Sequence, residues 1–258
     1  MDRRGVAAGR EPVDRDLIVQ FRDVRYEIGG RVILDGLNLD IQKGETLVLL
    51  GRSGSGKTTA LKLVNGLIMP TGGEVLVNGK PTTEWDLIQL RRSIGYVIQE
   101  VGLFPHYTVR RNVELAPRLQ GWDQPRAHAR ATELLSQVGL DAGQYGDRFP
   151  RQLSGGQRQR VGVARALAGD AALLLFDEPF GAVDPVTRLD LQKQFVALRQ
   201  RFATTSIFVT HDVREALSLG SRVGLLREGR LEQLAPPAEF RKSTNEEARA
   251  FLACLEDL

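Results

Sequence analysis

Apolar and polar positions along this chain follow two different rhythms. Over residues 17–39 they alternate, and β-branched residues are frequent, which predicts two antiparallel strands turned at Gly29-Gly30. Short, largely apolar runs follow at 45–50 (ETLVLL) and 171–176 (AALLLF), each the length of a strand buried on both faces, and 205–209 reads as a further strand. Between and beyond them the pattern predicts helices at 58–67, 156–168, 186–202 and 213–219, and a last core strand at 222–226. Strands that alternate with helices imply a mostly parallel, covered sheet, so the expected fold class is α/β. Residues 73–77 begin a strand pair turned at Asn78-Gly79, 85–92 read as a short helix and 94–98 as a strand. The segment 109–139 departs from this alternation. It is rich in Arg, Ala and Leu, has helical spacing at Ala131, Leu134, Leu135 and Val138, and is broken by Pro117, Gly121 and Pro125, so a helical subdomain is expected there.

The loop between the strand at 45–50 and the helix at 58–67 carries the clearest chemistry. Gly51, Arg52, Ser53, Gly54, Ser55, Gly56, Lys57 and Thr58 form a complete Walker A sequence. Glycines let such a loop curl its N–H groups onto phosphate oxygens, and the following helix adds the positive end of its dipole. Lys57 is placed for the β- and γ-phosphates of a nucleotide, and the Thr58 hydroxyl for Mg²⁺. The apolar run at 171–176 ends in Asp177 and Glu178, acids at the carboxyl end of a buried strand, where open α/β sheets bind ligands. Asp177 is the expected partner of the cation, and Glu178 is placed to accept a proton from the attacking water or to orient it. Further on, Leu153-Ser154-Gly155-Gly156-Gln157 puts an N-capping serine and two glycines at a helix start, a second anion-friendly site in a chain that already has one.

Walker A, LSGGQ and an apolar strand ending in Asp-Glu-Pro together resemble the nucleotide-binding subunit of an ABC transporter, over residues 17–234. The resemblance implies a RecA-like P-loop ATPase core with an antiparallel β subdomain and an inserted α-helical signature subdomain. It implies MgATP as cofactor and substrate, with Thr59 beside the loop, and Thr58, Gln99 and Asp177 at the metal. Tyr26 takes the place of the aromatic that stacks on adenine, Gln99 that of the Q-loop glutamine, Ala182-Val183-Asp184 that of the D-loop, and His211 that of the switch histidine. Glu178, His211, Gln99 and Lys57 would then carry catalysis, while Ser154, Gly155, Gly156 and Gln157 would face ATP held by a second copy of the chain. Expected partners are that second copy in an ATP-sandwiched homodimer, transmembrane permease subunits and, indirectly, a substrate-binding protein. The expected location is the cytoplasmic face of the membrane.

Two strings narrow the resemblance. Residues 94–109 (IGYVIQEVGLFPHYTV) and 184–188 (DPVTR) look like the branch that imports glycine betaine, choline and carnitine. Apolar side chains near Phe104 serve either core packing or the reception of a permease helix. Other cargo (amino acid, metal or lipid) and a soluble ABC ATPase remain as alternatives.

Composition changes this picture little. At 258 residues with 42% hydrophobic and 26% charged content, the chain can bury a full core. The net charge is +3, and the basic residues are scattered, with small clusters at Arg91-Arg92, Arg110-Arg111 and Arg158/Arg160 and no stripe, so no nucleic-acid partner is expected. The single cysteine, Cys254, excludes an internal disulfide and fits a reducing compartment. No apolar segment follows Arg3 and Arg4, so no signal peptide is expected. The expected layout is a tail at 1–16, an ATPase domain at 17–238 with the helical subdomain at about 100–165, and a helical extension at 239–258.

Overall fold

The computed structural model describes residues 16–99, 102–181, 183–202 and 204–255, so all but the last residue of the expected tail lies outside the described residues. β1 (Leu17–Ile28) and β2 (Arg31–Gln42) pair antiparallel as the alternation predicts, with β4 (Gly72–Val77) and β5 (Lys80–Pro81) completing a four-stranded sheet of order β2-β1-β4-β5. Gly29 and Gly30 both take positive φ, 58° and 77°, the conformation a two-residue hairpin turn requires. The second sheet has six strands in the order β10-β9-β3-β8-β7-β6. Its members are β3 (Thr46–Leu50), β6 (Ile94–Val97), β7 (Leu173–Asp177), β8 (Thr205–Thr210), β9 (Arg222–Arg227) and β10 (Arg230–Ala235). All neighbours pair parallel except β9 and β10.

The apolar runs are explained by two cores, one on each face of this sheet. Leu47, Leu49, Leu173, Leu175, Ile207 and Val209 point into a core shared with the antiparallel sheet and α1 (Lys57–Val64). Val48, Leu50, Leu174, Phe176 and Phe208 point into the other, shared with α6 (Gly155–Ala168), α7 (Pro185–Phe202) and α8 (Val213–Leu219). Successive side chains of a strand alternate between faces, so a strand covered on both sides is largely apolar, with polar residues buried only at its ends, such as Thr46, Thr205, Ser206 and Thr210.

The expected helical subdomain consists of α3 (Val109–Leu119), α4 (Gln124–Gln137), α5 (Ala142–Tyr145) and the start of α6, with α2 (Leu87–Arg92) preceding β6. Pro117 does not break α3 as the sequence suggested. It sits in the last turn, its carbonyl accepts from the N–H of Trp122 at 3.0 Å, and Gly121, at φ 84°, makes the stop. Pro125 lies in the first turn of α4, where a missing N–H costs nothing. Several of the paired arginines serve chain ends and turns. Arg91 donates to the carbonyl of Gly66 at 2.7 Å, and Arg160 to that of Val138 at 3.2 Å.

β10 is not legible in the sequence, because half of RLEQLA is polar and the strand is half-exposed. Its signal is the Glu228-Gly229 turn, with φ of 50° and 80°. After it, α9 (Pro237–Phe240) and α10 (Glu246–Ala253) return to the sheet's second face, where Phe240 and Ala248 are fully buried. Cys254, at the end of α10, is exposed.

The rings of Phe176 and Phe208 stack at 4.2 Å, and Phe195 of α7 meets Phe208 edge-on at 4.5 Å. Phe208→Ala would open a cavity between sheet and helix and should cost about 3–5 kcal/mol. Urea unfolding measures it, and a loss near zero would mean that this aromatic cluster does not hold α7 to the sheet.

Candidate functional site

Parallel strands end together, and four neighbours deliver the site. In the order β3-β8-β7-β6, their carboxyl ends lead into the loop 51–56, into His211, into Asp177 and Glu178, and into Gln99. The register sets Leu50 beside Thr210, Asp177 beside Val209 and Val97 beside Phe176.

The loop needs glycine where the chain passes closest to its neighbours. A Cβ on Gly51 would lie 2.3 Å from the carbonyl oxygen of Leu226. One on Gly56, which sits at φ 103° at the start of α1, would lie 2.7 Å from Leu34 Cδ2 and 2.9 Å from the Ile33 carbonyl. Ser53 and Gly54 are exposed at the tip, and Ser55 is buried. Lys57 bends back over the loop, its Nζ donating to the carbonyls of Gly51 at 2.7 Å and Arg52 at 2.8 Å. Burial pushes its pKa down. Thr58 donates its hydroxyl to Asp177 Oδ1 at 2.8 Å, and Thr59 is half-buried beside it. Asp177, 5% exposed, also accepts the Tyr96 hydroxyl at 3.4 Å. Burial raises the pKa of this carboxyl, and the hydrogen bond from Thr58 opposes the rise.

Glu178 continues the strand pairing, its N–H donating to the Val209 carbonyl at 3.0 Å. It then turns at φ 45°, a conformation that side chains other than glycine seldom adopt and that recurs at functional positions. Its Oε2 accepts from Gln99 Nε2 at 3.4 Å and lies 3.3 Å from His211 Nδ1. Six residues singled out from the sequence, Lys57, Thr58, Gln99, Asp177, Glu178 and His211, thus form one cluster. Its oxygen donors, the Thr58 hydroxyl and the Asp177 carboxylate, suit a hard cation such as Mg²⁺.

Other singled-out residues stand apart. Tyr26 is half-buried in β1 opposite Leu34, the residue that touches Gly56, so it lies one strand away from the loop. Ser154 caps α6, accepting the Gln157 N–H at 3.3 Å while the Gln157 side chain accepts the Ser154 N–H at 2.9 Å. No hydrogen bond joins residues 154–157 to the loop 51–58 among the described residues, and Ser154 and Gly155 are exposed. Gly156 is pressed against α7: a Cβ there would lie 2.5 Å from the Thr187 methyl. Asp184 accepts the Thr187 N–H at 3.0 Å, which holds its carboxyl below the usual range. Ala182 lies outside the described residues.

Sequence reasoning missed two residues at this site. Tyr96 could have been found as a polar-tipped residue on the strand that leads to Gln99. Glu247, whose carboxylate grips Arg52 at 2.6 Å and 3.2 Å, had no signal, because it is 195 residues away.

A family model described as ABC transporter matches residues 34–181. The chain belongs to the ABC transporter family. It is 49% identical over 220 residues to the osmoprotectant import ATP-binding protein OsmV of Salmonella typhimurium, covering 85% of this chain and 58% of that one. It is 45% identical over 225 residues to the glycine betaine/carnitine/choline transport ATP-binding protein OpuCA of Bacillus subtilis, covering 87% of this chain and 59% of that one. The chain therefore spans somewhat over half the length of these curated relatives. Among solved structures it is similar to a dimeric post-hydrolysis state of an ATP-binding cassette bound to ADP and Pi, with a TM-score of 0.77 and 34% identity over 85% of this chain and 99% of that one. The RecA-like core with its antiparallel and helical subdomains is the fold of this family.

The raised pKa of Asp177 has a consequence for stability. A carboxyl whose folded pKa exceeds its unfolded value of about 3.9 favours folding below that value and loses this contribution as pH rises through the folded pKa. Without nucleotide or metal, Asp177→Asn should therefore match the wild type near pH 4 and become the more stable protein by pH 7. Denaturant unfolding at several pH values measures this, and an Asn variant that weakens as pH rises would contradict it.

Proposed function

We propose that this chain is the ATP-hydrolysing subunit of an ABC importer for quaternary ammonium osmoprotectants such as glycine betaine or choline. The observation that carries the catalytic reading is the Glu178 carboxylate, aimed by its positive φ and held by Gln99 and His211 beside the Thr58–Asp177 pair and Lys57. The loop 51–59 cradles the triphosphate, Lys57 meets its β- and γ-phosphates, and Tyr26 stacks on the adenine. Thr58, Asp177 and Gln99 would hold Mg²⁺, which when bound neutralises charge on the phosphate oxygens. Glu178 orients the attacking water and takes its proton, with His211 and Gln99 fixing the carboxylate. Lys57, Gln99, Glu178 and His211 are in this reading the catalytic set.

The dimer reading is supported by residues that have no work in their own site. Ser154, Gly155, Gly156 and Gln157 present a capped helix start with two exposed residues, suited to the γ-phosphate of ATP on a second copy, and Asp184 lies beside that helix. One loop and one LSGGQ per chain then make two composite sites in a head-to-tail pair. In this reading residues 17–238 are the ATPase domain, with the helical subdomain at about 100–165 and a C-terminal extension from 239.

Docking on a permease is supported by the surface that follows Gln99. Phe104 is 41% exposed and touches the rings of His106 and Tyr107, while Arg165 of α6 donates to the Gly102 carbonyl at 2.7 Å and so ties this loop to the signature helix. No described helix is long and apolar enough to cross a membrane, which suits a peripheral subunit that borrows its membrane path from a permease on the cytoplasmic face. The cargo reading rests on the names of the relatives and on residues 94–109 and 184–188. Cargo reaches the complex through a substrate-binding protein.

Glu178→Gln keeps the shape and removes the base. Hydrolysis should fall by about 100-fold or more while binding survives, and MgATP should then trap a dimer on size exclusion. Near-normal turnover would remove Glu178 from its role. For cargo, the complete transporter in liposomes, supplied with its binding protein, should show glycine betaine or choline stimulating hydrolysis and accumulating inside. Stimulation by amino acids or lipid and none by quaternary amines would overturn the cargo and leave the ATPase standing.

A further inference from the structure

The phosphate loop is gripped from outside its own fold segment. Glu247, in the first turn of α10, takes the Arg52 guanidinium in a fork, with Nε to Oε1 at 2.6 Å and Nη2 to Oε2 at 3.2 Å. The two ends of this pair differ. The Arg52 side chain is 72% exposed, whereas Glu247 is buried, with 9% of its side chain accessible. A buried carboxylate needs a partner, and a two-pronged arginine fixes its geometry as well as its charge. This separates the pair from an ordinary surface ion pair, which contributes little.

Both ends of the fork are anchored. Asn245 caps α10 by accepting the Ala248 N–H at 2.9 Å, and its side-chain amide donates to Glu232 of β10 at 3.0 Å. Ala248 is fully buried, and Phe251 and Leu252 pack on the second core. The position of the Glu247 carboxylate is therefore set by the docking of α10. At the other end, Arg52 is also the residue whose backbone carbonyl holds Lys57 Nζ at 2.8 Å. A continuous line of hydrogen bonds thus runs from α10 through Glu247 and Arg52 to Lys57.

We infer that Glu247 is a positioning residue for the phosphate-binding lysine, so that docking of α10 and occupancy of the loop by MgATP favour one another. Glu247 touches no substrate. It acts by holding the Arg52 backbone where its carbonyl orients Lys57. Coupling between two sites is reciprocal, so whatever α10 contributes to nucleotide affinity, nucleotide returns to the docking of α10. The inference rests on the proposed role of Lys57 in an ATPase.

The test uses the full chain, steady-state hydrolysis over a range of MgATP, and amide exchange of residues 246–253. Wild type should hydrolyse MgATP, and Lys57→Ala should not. Failure of either overturns the proposed function, and the inference with it. If both hold, Glu247→Gln should raise KM for MgATP by about fivefold or more while kcat stays within about twofold. Arg52→Ala should raise KM at least as far, the double variant should have a KM no higher than that of Arg52→Ala, and Glu247→Asp should recover part of the affinity. MgATP should slow exchange in α10 of the wild type and not of Glu247→Gln, with thermal melting confirming that both are folded. An unchanged KM in Glu247→Gln, singles that add independently, or α10 exchange indifferent to MgATP in the wild type would overturn the positioning role and leave the ATPase reading intact.

Discussion

The site depends on one constraint, the common direction of four adjacent strands. Because β3, β8, β7 and β6 run parallel and in register, their carboxyl ends open at one edge of the sheet. Each strand hands over one group there: the glycine-rich loop 51–56, His211, the acids Asp177 and Glu178, and Gln99. A parallel sheet needs both faces covered, which the two cores provide, and the covered strands can then hold their ends rigidly. Were one of these strands reversed, its polar residues would emerge at the opposite edge, far from the others.

Burial at that edge gives the site its electrostatic character. Lys57 and Asp177 are each pushed toward their neutral forms because they have been taken out of water. Each is compensated locally, Lys57 by two backbone carbonyls and Asp177 by the hydroxyls of Thr58 and Tyr96. These partners are neutral, so they compensate charge less fully than ionised partners would. The site thus sets a lysine and a carboxyl close together, each compensated by neutral groups. Glu178 differs from them: it is partly accessible and held by two polar side chains, which suits a group that must meet water.

Two further parts of the molecule gain meaning from this centre. The signature helix starts with a capping box pressed on α7, so its outward face and the start of α7 form one surface. Among the described residues no hydrogen bond joins that surface to the loop 51–58 of its own chain. The C-terminal helix reaches the phosphate loop through a buried carboxylate, placing the far end of the chain in contact with the first motif.

Much of this was legible in the residues. The strand at 46–50, the loop 51–58, the acids Asp177 and Glu178 where β7 ends, the capped helix at 155–168 and the hairpin at Gly29-Gly30 all follow from local rules: period, turn chemistry, capping and the need for glycine at close approach. Those rules act over a few residues, so sequence carries them directly. They failed at Pro117, which α3 holds two residues before its end, and at β10, whose polar residues hide an edge strand. What the sequence by itself determined is the list of chemical groups and the local elements that present them. Only the tertiary structure decided which of them meet: that Tyr96 shares Asp177 with Thr58, that Gln99 and His211 converge on Glu178, and that Glu247 holds Arg52. The reason is that these contacts join residues tens to hundreds of positions apart, and their distances are set by strand order and packing, which no local pattern encodes.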